Sequence, residues 1–253
     1  AWKMHRVAED RTHDAIAADF NGDGRPDIAT RNQSEFGYKA GDRVRVFLQT
    51  PGGGWQAEAI PCEHGEGIVA ADIDRDGDPD IVLGGVWLET VREDSRVRWV
   101  PRRFASWHPN AAIAVGDMNG DGRPDIVLAP SELAKQQYRM SWFEAPPDPK
   151  QGAWREHRVA EPVECVLHGI QAADIDLDGR PDIVFAEMHQ GQDPDEVGVY
   201  YNRGGTWEKQ VVAITGAHDI QIADLDRDGD IDLFGANWSG DDQAIRIWIN
   251  GIR

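Results

Sequence analysis

The chain has 253 residues, with 26 Lys and Arg against 45 Asp and Glu, a net charge of −19. That deficit excludes binding to phosphate backbones, or docking on anionic membranes, through a surplus of Lys and Arg. Ten Trp and 40% hydrophobic residues exclude a disordered acidic tail, so a folded chain must find a use for its carboxylates. No apolar run nears the ~20 residues of a spanning helix, and no basic segment followed by an apolar core marks a signal peptide. Cys62 and Cys165 are the only cysteines, so no disulfide framework is expected.

The chain opens on WKMHRVA, a weakly alternating segment headed by Trp2. AIAAD follows, then the acidic loop DFNGDGRPD at 19–27, then DIATR, then the alternating run RVRVFLQ at 43–49. Trp55 heads the next weakly alternating segment, WQAEAIP, and the order then repeats. Further loops are DIDRDGDPD at 72–80, DMNGDGRPD at 117–125, DIDLDGRPD at 174–182 and DLDRDGDID at 224–232. Trp99, Trp154 and Trp207 head the matching later segments, and IRIWIN at 245–250 ends the pattern. Loop starts lie 53, 45, 57 and 50 residues apart, a period typical of solenoids, propellers and arrays. Short period-two runs between turn signals are strands. Four strands per repeat and five repeats predict an all-β, five-bladed β-propeller with four-stranded blades, one domain over residues 1–253. The Trp2 segment has no first three strands before it, and IRIWIN has no fourth after it. The N-terminal strand is therefore expected to complete the last blade and close the ring, removing exposed edges.

The loops read D-x-D/N-x-D-G-x-x-D. Residues one, three, five and nine are Asp19, Asn21, Asp23 and Asp27; Asp72, Asp74, Asp76 and Asp80; Asp117, Asn119, Asp121 and Asp125. The last two loops supply Asp174, Asp176, Asp178 and Asp182, then Asp224, Asp226, Asp228 and Asp232. With the carbonyl of residue seven, these oxygens can converge on one hard cation such as Ca²⁺. An EF-hand needs twelve residues, a terminal Glu and flanking helices; here the ninth residue is Asp and strands flank both sides. Up to five structural Ca²⁺ are expected.

These loops with their strands, such as IAADFNGDGRPDIAT at 16–30 and IQIADLDRDGDIDLFGA at 220–236, resemble FG-GAP/VCBS repeats. Those are calcium-loop propeller repeats of integrin α-subunit heads and many bacterial extracellular proteins. The resemblance covers the whole chain. It implies Ca²⁺ between the first and second strands of each blade and a location outside the cytoplasm, secreted or periplasmic. It leaves the function open, because the fold is a scaffold with many uses.

The opposite ends of the strands carry the functional candidates. His13, His168 and His218 each sit six residues before the first loop Asp, and the same slot in the second blade is Glu66, with His64 nearby. His108 precedes the third blade, and His189 lies near Glu187 in the fourth. His13, His168, His218, His189 and Glu187 form a candidate set for Zn²⁺ or Mn²⁺. His64, Glu66 and His108 are acid–base candidates. Trp87, Trp107, Trp238, Asn237 and Arg31 are candidates for holding a sugar, with Glu132 a further residue of these turns.

Two functions follow. In one, a metal in the His-rich channel mouth polarises a sugar carbonyl or carboxylate, and β-elimination makes the protein a carbon–oxygen lyase or dehydratase. The chain more weakly resembles the propeller of aldos-2-ulose dehydratases, with similar acidic loops preceded by His. In the other, the propeller is a calcium-stabilised lectin or adhesion module without catalysis. The turns between second and third strands differ in every blade, which favours one site over five. A carbohydrate partner, no nucleic acid, no membrane insertion and a monomer are expected.

Overall fold

Each acidic loop closes a tight turn between two antiparallel strands, and each pair grows outward by further hairpins into a sheet. A computed structural model describes residues 2–9, 12–31, 42–93, 96–133, 135–238 and 243–252. Residues 1–109 and 110–253 form two units.

The 1–109 unit holds two sheets. The first is β1 (Asp14–Ala18), β2 (Asp27–Arg31), β3 (Arg43–Gln49) and β4 (Trp55–Pro61). The second is β5 (Val69–Ala71), β6 (Asp80–Leu83), β7 (Val86–Glu93) and β8 (Arg96–Arg103). In both, neighbours in sequence are neighbours in the sheet and all pairs are antiparallel. The first strands, β1 and β5, run beside each other. Phe20, Val44, Val46, Ile81 and Leu88 fill the core between the sheets.

The 110–253 unit repeats this plan. Its sheets are β9 (Ala111–Gly116), β10 (Asp125–Pro130), β11 (Gln137–Glu144) and β12 (Arg155–Glu164); then β13 (Leu167–Ala173), β14 (Asp182–Glu187), β15 (Val197–Asn202) and β16 (Trp207–Ala213). The last is β17 (Asp219–Ala223), β18 (Asp232–Ala236) and β19 (Ile245–Trp248). β13 lies beside both β9 and β17. One core joins Val127, Met140, Trp142, Leu167 and Phe185; another joins Val184, Val197, Val199, Ile220 and Leu233. Second strands such as β10 and β14 are buried throughout, while fourth strands such as β16 are mostly exposed. That gradient explains their sequences: continuous apolar runs inside, weak alternation outside. Among the described residues the fold is all-β, with no helix.

Two expectations differ from the structure. Residues 2–9 form no strand, Trp2 and Met4 are exposed, and the fifth sheet has three strands. Residues 4–8 instead line a cavity of about 340 Å³ with Thr30 and Phe47. The segment holding Trp87, read as a turn, is strand β7. Gly85 at φ 79° allows a hairpin of two residues there, because glycine adopts positive φ without a Cβ penalty.

Candidate functional site

The five acidic loops share one hydrogen-bond pattern. The first Asp accepts the N–H of residue five on Oδ1 and of residue six on Oδ2, in Asp19, Asp72, Asp117, Asp174 and Asp224 alike. Residue six is glycine at φ 82–97°. Residue four is left-handed as well, including Arg75, Leu177 and Arg227 at φ 59–68°, an uncommon conformation for such side chains.

The ninth Asp is buried in every loop. Its Oδ2 accepts the N–H of residue two (Phe20, Ile73, Met118, Ile175, Leu225). Its Oδ1 accepts the N–H of Gln49, Thr90, Ala145, Asn202 or Asn250, at or near the end of the third strand. Burial raises the pKa of Asp27 and Asp182, pushes Asp80 up to about 8 and Asp125 up to about 7.

Residues one, three and nine converge in three loops. Carboxylate oxygens of Asp72, Asp74 and Asp80, of Asp174, Asp176 and Asp182, and of Asp224, Asp226 and Asp232 lie within 4.8 Å of one another. A carboxylate oxygen accepting one N–H keeps a second lone pair. Asp176 Oδ1 is buried and accepts no hydrogen bond. An oxygen-only donor set with such an atom fits a hard cation, so these clusters can hold a metal.

At the other strand ends of the 110–253 unit, backbone bonds zip the turns together. Leu133 donates to Cys165 O, Met188 to Val166 O, Ala217 to Glu187 O and His218 to Ala236 O. His168 Nδ1 lies 3.0 Å from His218 O. A carbonyl only accepts, so Nδ1 carries a proton. Nε2 lies 3.8 Å from Glu132 Oε1, and both side chains are more than nine-tenths buried. The His168 and His218 rings lie 3.8 Å apart between centroids, tilted by 30°. Trp238, 65% exposed, meets His218 edge-on at 6.0 Å and His189 at 5.8 Å. Asn237 is buried and donates to Thr215 O. Glu187 turns toward its own blade, where Oε2 accepts the Glu196 N–H at 2.7 Å. Burial, reinforced by the Glu196 charge, pushes Glu187 up to about 7.

In the 1–109 unit, His13 Nδ1 lies 3.2 Å from Asp14 Oδ1 and Nε2 lies 3.5 Å from the buried Glu66. Arg31 is fully buried, and its guanidinium donates to the carbonyls of Glu63, Glu66 and Gly67. Burial lowers its pKa, opposed by nearby Cys62, Asp14 and Glu66. His64 and His108 are half-buried in loops. Trp87 and Trp107 are buried.

The repeats identify the family. The FG-GAP-like repeat matches residues 19–83 and 174–235, together half of the chain, and the FG-GAP repeat matches 110–138. The chain belongs to the FG-GAP repeat family. No curated protein matches it in sequence. Among solved structures, this FG-GAP chain is similar to an Agrocybe aegerita lectin that specifically recognises non-reducing terminal N-acetylglucosamine. They share 19% identity at a TM-score of 0.52, over 95% of this chain and 67% of the lectin chain. It is also similar to the exotype rhamnogalacturonan lyase YesX, at 14% identity and a TM-score of 0.51, over 93% of this chain and 47% of that chain. These likenesses concern the fold, and the chain spans about half the length of the lyase. No helix among the described residues is long and apolar enough to cross a membrane.

Sequence reading missed three groups. The arginine at residue seven (Arg25, Arg123, Arg180) pairs with the Asp at residue five and donates to a carbonyl at the end of the third strand. The shared RPD triplet was its signal. Asn202 and Asn250 bind the preceding blade's loop, and the shared final Asn of VGVYYN and IRIWIN was theirs. His157 lies against Trp142 and Glu144, contacts that the weak alternation of its strand does not reveal.

Proposed function

We propose that this FG-GAP propeller acts on carbohydrate, with one site built on His168, Glu132, His218, His189 and Trp238, and that it is a metal-dependent carbon–oxygen lyase. His168 carries the reading. Its Nδ1–H is fixed on a carbonyl, which aims Nε2 at a buried carboxylate; this is how a metal-ligating imidazole is held. A divalent ion such as Zn²⁺ or Mn²⁺ on His168 and Glu132 would polarise a sugar carbonyl or carboxylate. Trp238 offers an exposed ring for the apolar face of a pyranose. His189, at the edge of that ring, takes the proton next to the polarised group. The C–H electrons form the new C=C bond, the β carbon–oxygen bond breaks, and the leaving oxygen takes a proton from water.

A lectin without catalysis is the second reading, favoured by the exposure of Trp238 and by the similar lectin. Five Ca²⁺ in the acidic loops, a single domain and a monomer outside the cytoplasm complete the proposal.

The test incubates Mn²⁺- or Zn²⁺-loaded protein with a panel of polysaccharides and follows ultraviolet absorbance of the unsaturated product. The wild type should form product and retain a transition metal after dialysis. His168→Ala should lose both while remaining folded. Sugar binding that needs Trp238 but survives His168→Ala, without product, replaces the lyase by the lectin.

A further inference from the structure

A cavity of about 560 Å³ opens between the third and fourth sheets, at the acidic-loop end of their strands. Its size is that of a small-molecule pocket. It includes none of the histidines at the opposite strand ends. One wall is the cross-strand pair Trp142 and His157, whose rings stack at 4.1 Å and 7°. Glu144 lies 2.7 Å from His157 Nε2 and holds the ring in place. Trp207, heading β16, supplies a second aromatic surface. Gly204 and Gly205 complete the lining, and a Cβ on either would meet nothing within 4 Å.

This wall is not a copy of the repeat. Gln49 and Ala145 are equivalent, since each donates its N–H to the ninth Asp. Counting back three residues, the first sheet has Val46 opposite Glu58 where the third has Trp142 opposite His157. Leu48 stands where Glu144 stands. The matching cavity of about 640 Å³ in the 1–109 unit has no aromatic residue among its described lining.

At the 560 Å³ cavity Arg158 pairs with Glu156 and Glu161 and Arg180 pairs with Asp178, so the two arginines of the lining are matched by carboxylates. Balanced charge favours an uncharged occupant. Aromatic faces beside the Glu144 and Glu156 carboxylates suit a ring with an apolar C–H face and hydroxyls at its edge. We propose that this cavity binds a neutral saccharide ring, as a second site separate from Trp238 and His168. It shares the ligand class of the proposed function and none of its residues.

The test titrates calcium-loaded protein with cellobiose, lactose and maltose, with glucuronic acid as charged control, by saturation-transfer NMR and Trp fluorescence. At least one neutral disaccharide should saturate a signal and bind more tightly than glucuronic acid. His157→Ala should weaken it at least ~tenfold, about 1.4 kcal/mol. Glu144→Gln, which keeps side-chain shape, should weaken it too. No saturable binding of any disaccharide overturns the proposal, as does binding unchanged in His157→Ala and Glu144→Gln. Tighter binding of glucuronic acid overturns it as well. Binding lost only in Trp238→Ala overturns it while supporting the site at His168. Product formation in the lyase assay is read separately, so the two proposals fail independently.

Discussion

Asp125 has no exposed surface, yet the third blade's loop and third strand meet on it. One oxygen accepts the Met118 N–H at 2.9 Å and the other accepts the Ala145 N–H at 2.8 Å. Burial pushes its pKa to about 7, with Asp121 and Asp117 adding to the rise. The same side chain is therefore a tie between loop and strand, each oxygen keeping a second lone pair after accepting one N–H. Asp125→Ala leaves two buried N–H groups without acceptors, at roughly 1–3 kcal/mol each. The expected loss is ~2–5 kcal/mol by urea denaturation in excess calcium. A loss below ~0.5 kcal/mol, within the range of an ordinary surface substitution, would show that the tie does not matter.

Between elements, the loop of one blade is gripped by the next. Asn202 ends β15 and donates through Nδ2 to Met118 O of the third blade's loop at 2.9 Å and to Pro181 O of its own. Asn250 makes the same two contacts one blade later, to Ile175 O and Ile231 O. In the 1–109 unit Arg92 plays this part, reaching back to Phe20 O and Asp19 O. Asn202→Ala should cost ~1–3 kcal/mol by stranding buried carbonyls. It should also raise amide exchange at Met118 and Asn119 first, because the lost contact is local. Exchange unchanged in that loop would sink the latch. The strands and loops were legible because their signals are local: a nine-residue motif, period-two runs and a Trp every repeat. The His168 and His218 pairing was half legible. Equal spacing from the first Asp put both at strand approaches, but the ring contact and the Glu132 contact depend on how neighbouring turns pack. Trp87 misled because Gly84–Gly85 shortens a turn that was read as long. His157 was not legible because alternation in an outer strand gives a face, and nothing in the sequence reports that Glu144 and Trp142 occupy that face across the strand.

At the scale of the molecule, the charge of −19 is mostly loop. The five nine-residue loops hold 20 Asp and 5 Arg, a net of −15, so the rest of the chain is nearly balanced. The burden is uneven. Loops 72–80 and 224–232 carry −4 each, with Asp78 and Asp230 at residue seven, where loops 19–27, 117–125 and 174–182 carry Arg. The first and third loops carry −2 each and the fourth −3. Five Ca²⁺ would add ten positive charges and leave the folded protein near −9. A cation bound only by the folded state stabilises it by ~4 kcal/mol per site at a thousandfold excess over Kd. A single such site shifts the melting temperature of a chain this long by ~10 °C, so chelation should lower it by at least that much. Salt distinguishes the two sources of that loss. Repulsion among exposed loop carboxylates is screened over ~10 Å at 0.1 M salt, whereas lost coordination is not replaced by sodium chloride. Adding salt to the chelated protein should therefore recover a minor part of the shift, and calcium should recover all of it. The recovery by salt should shrink in Asp78→Arg, which gives the second loop the Arg that three others have. A melting temperature indifferent to chelator removes calcium from the account. Full recovery by salt alone reduces the loops to a repulsive surface that needs no specific ion.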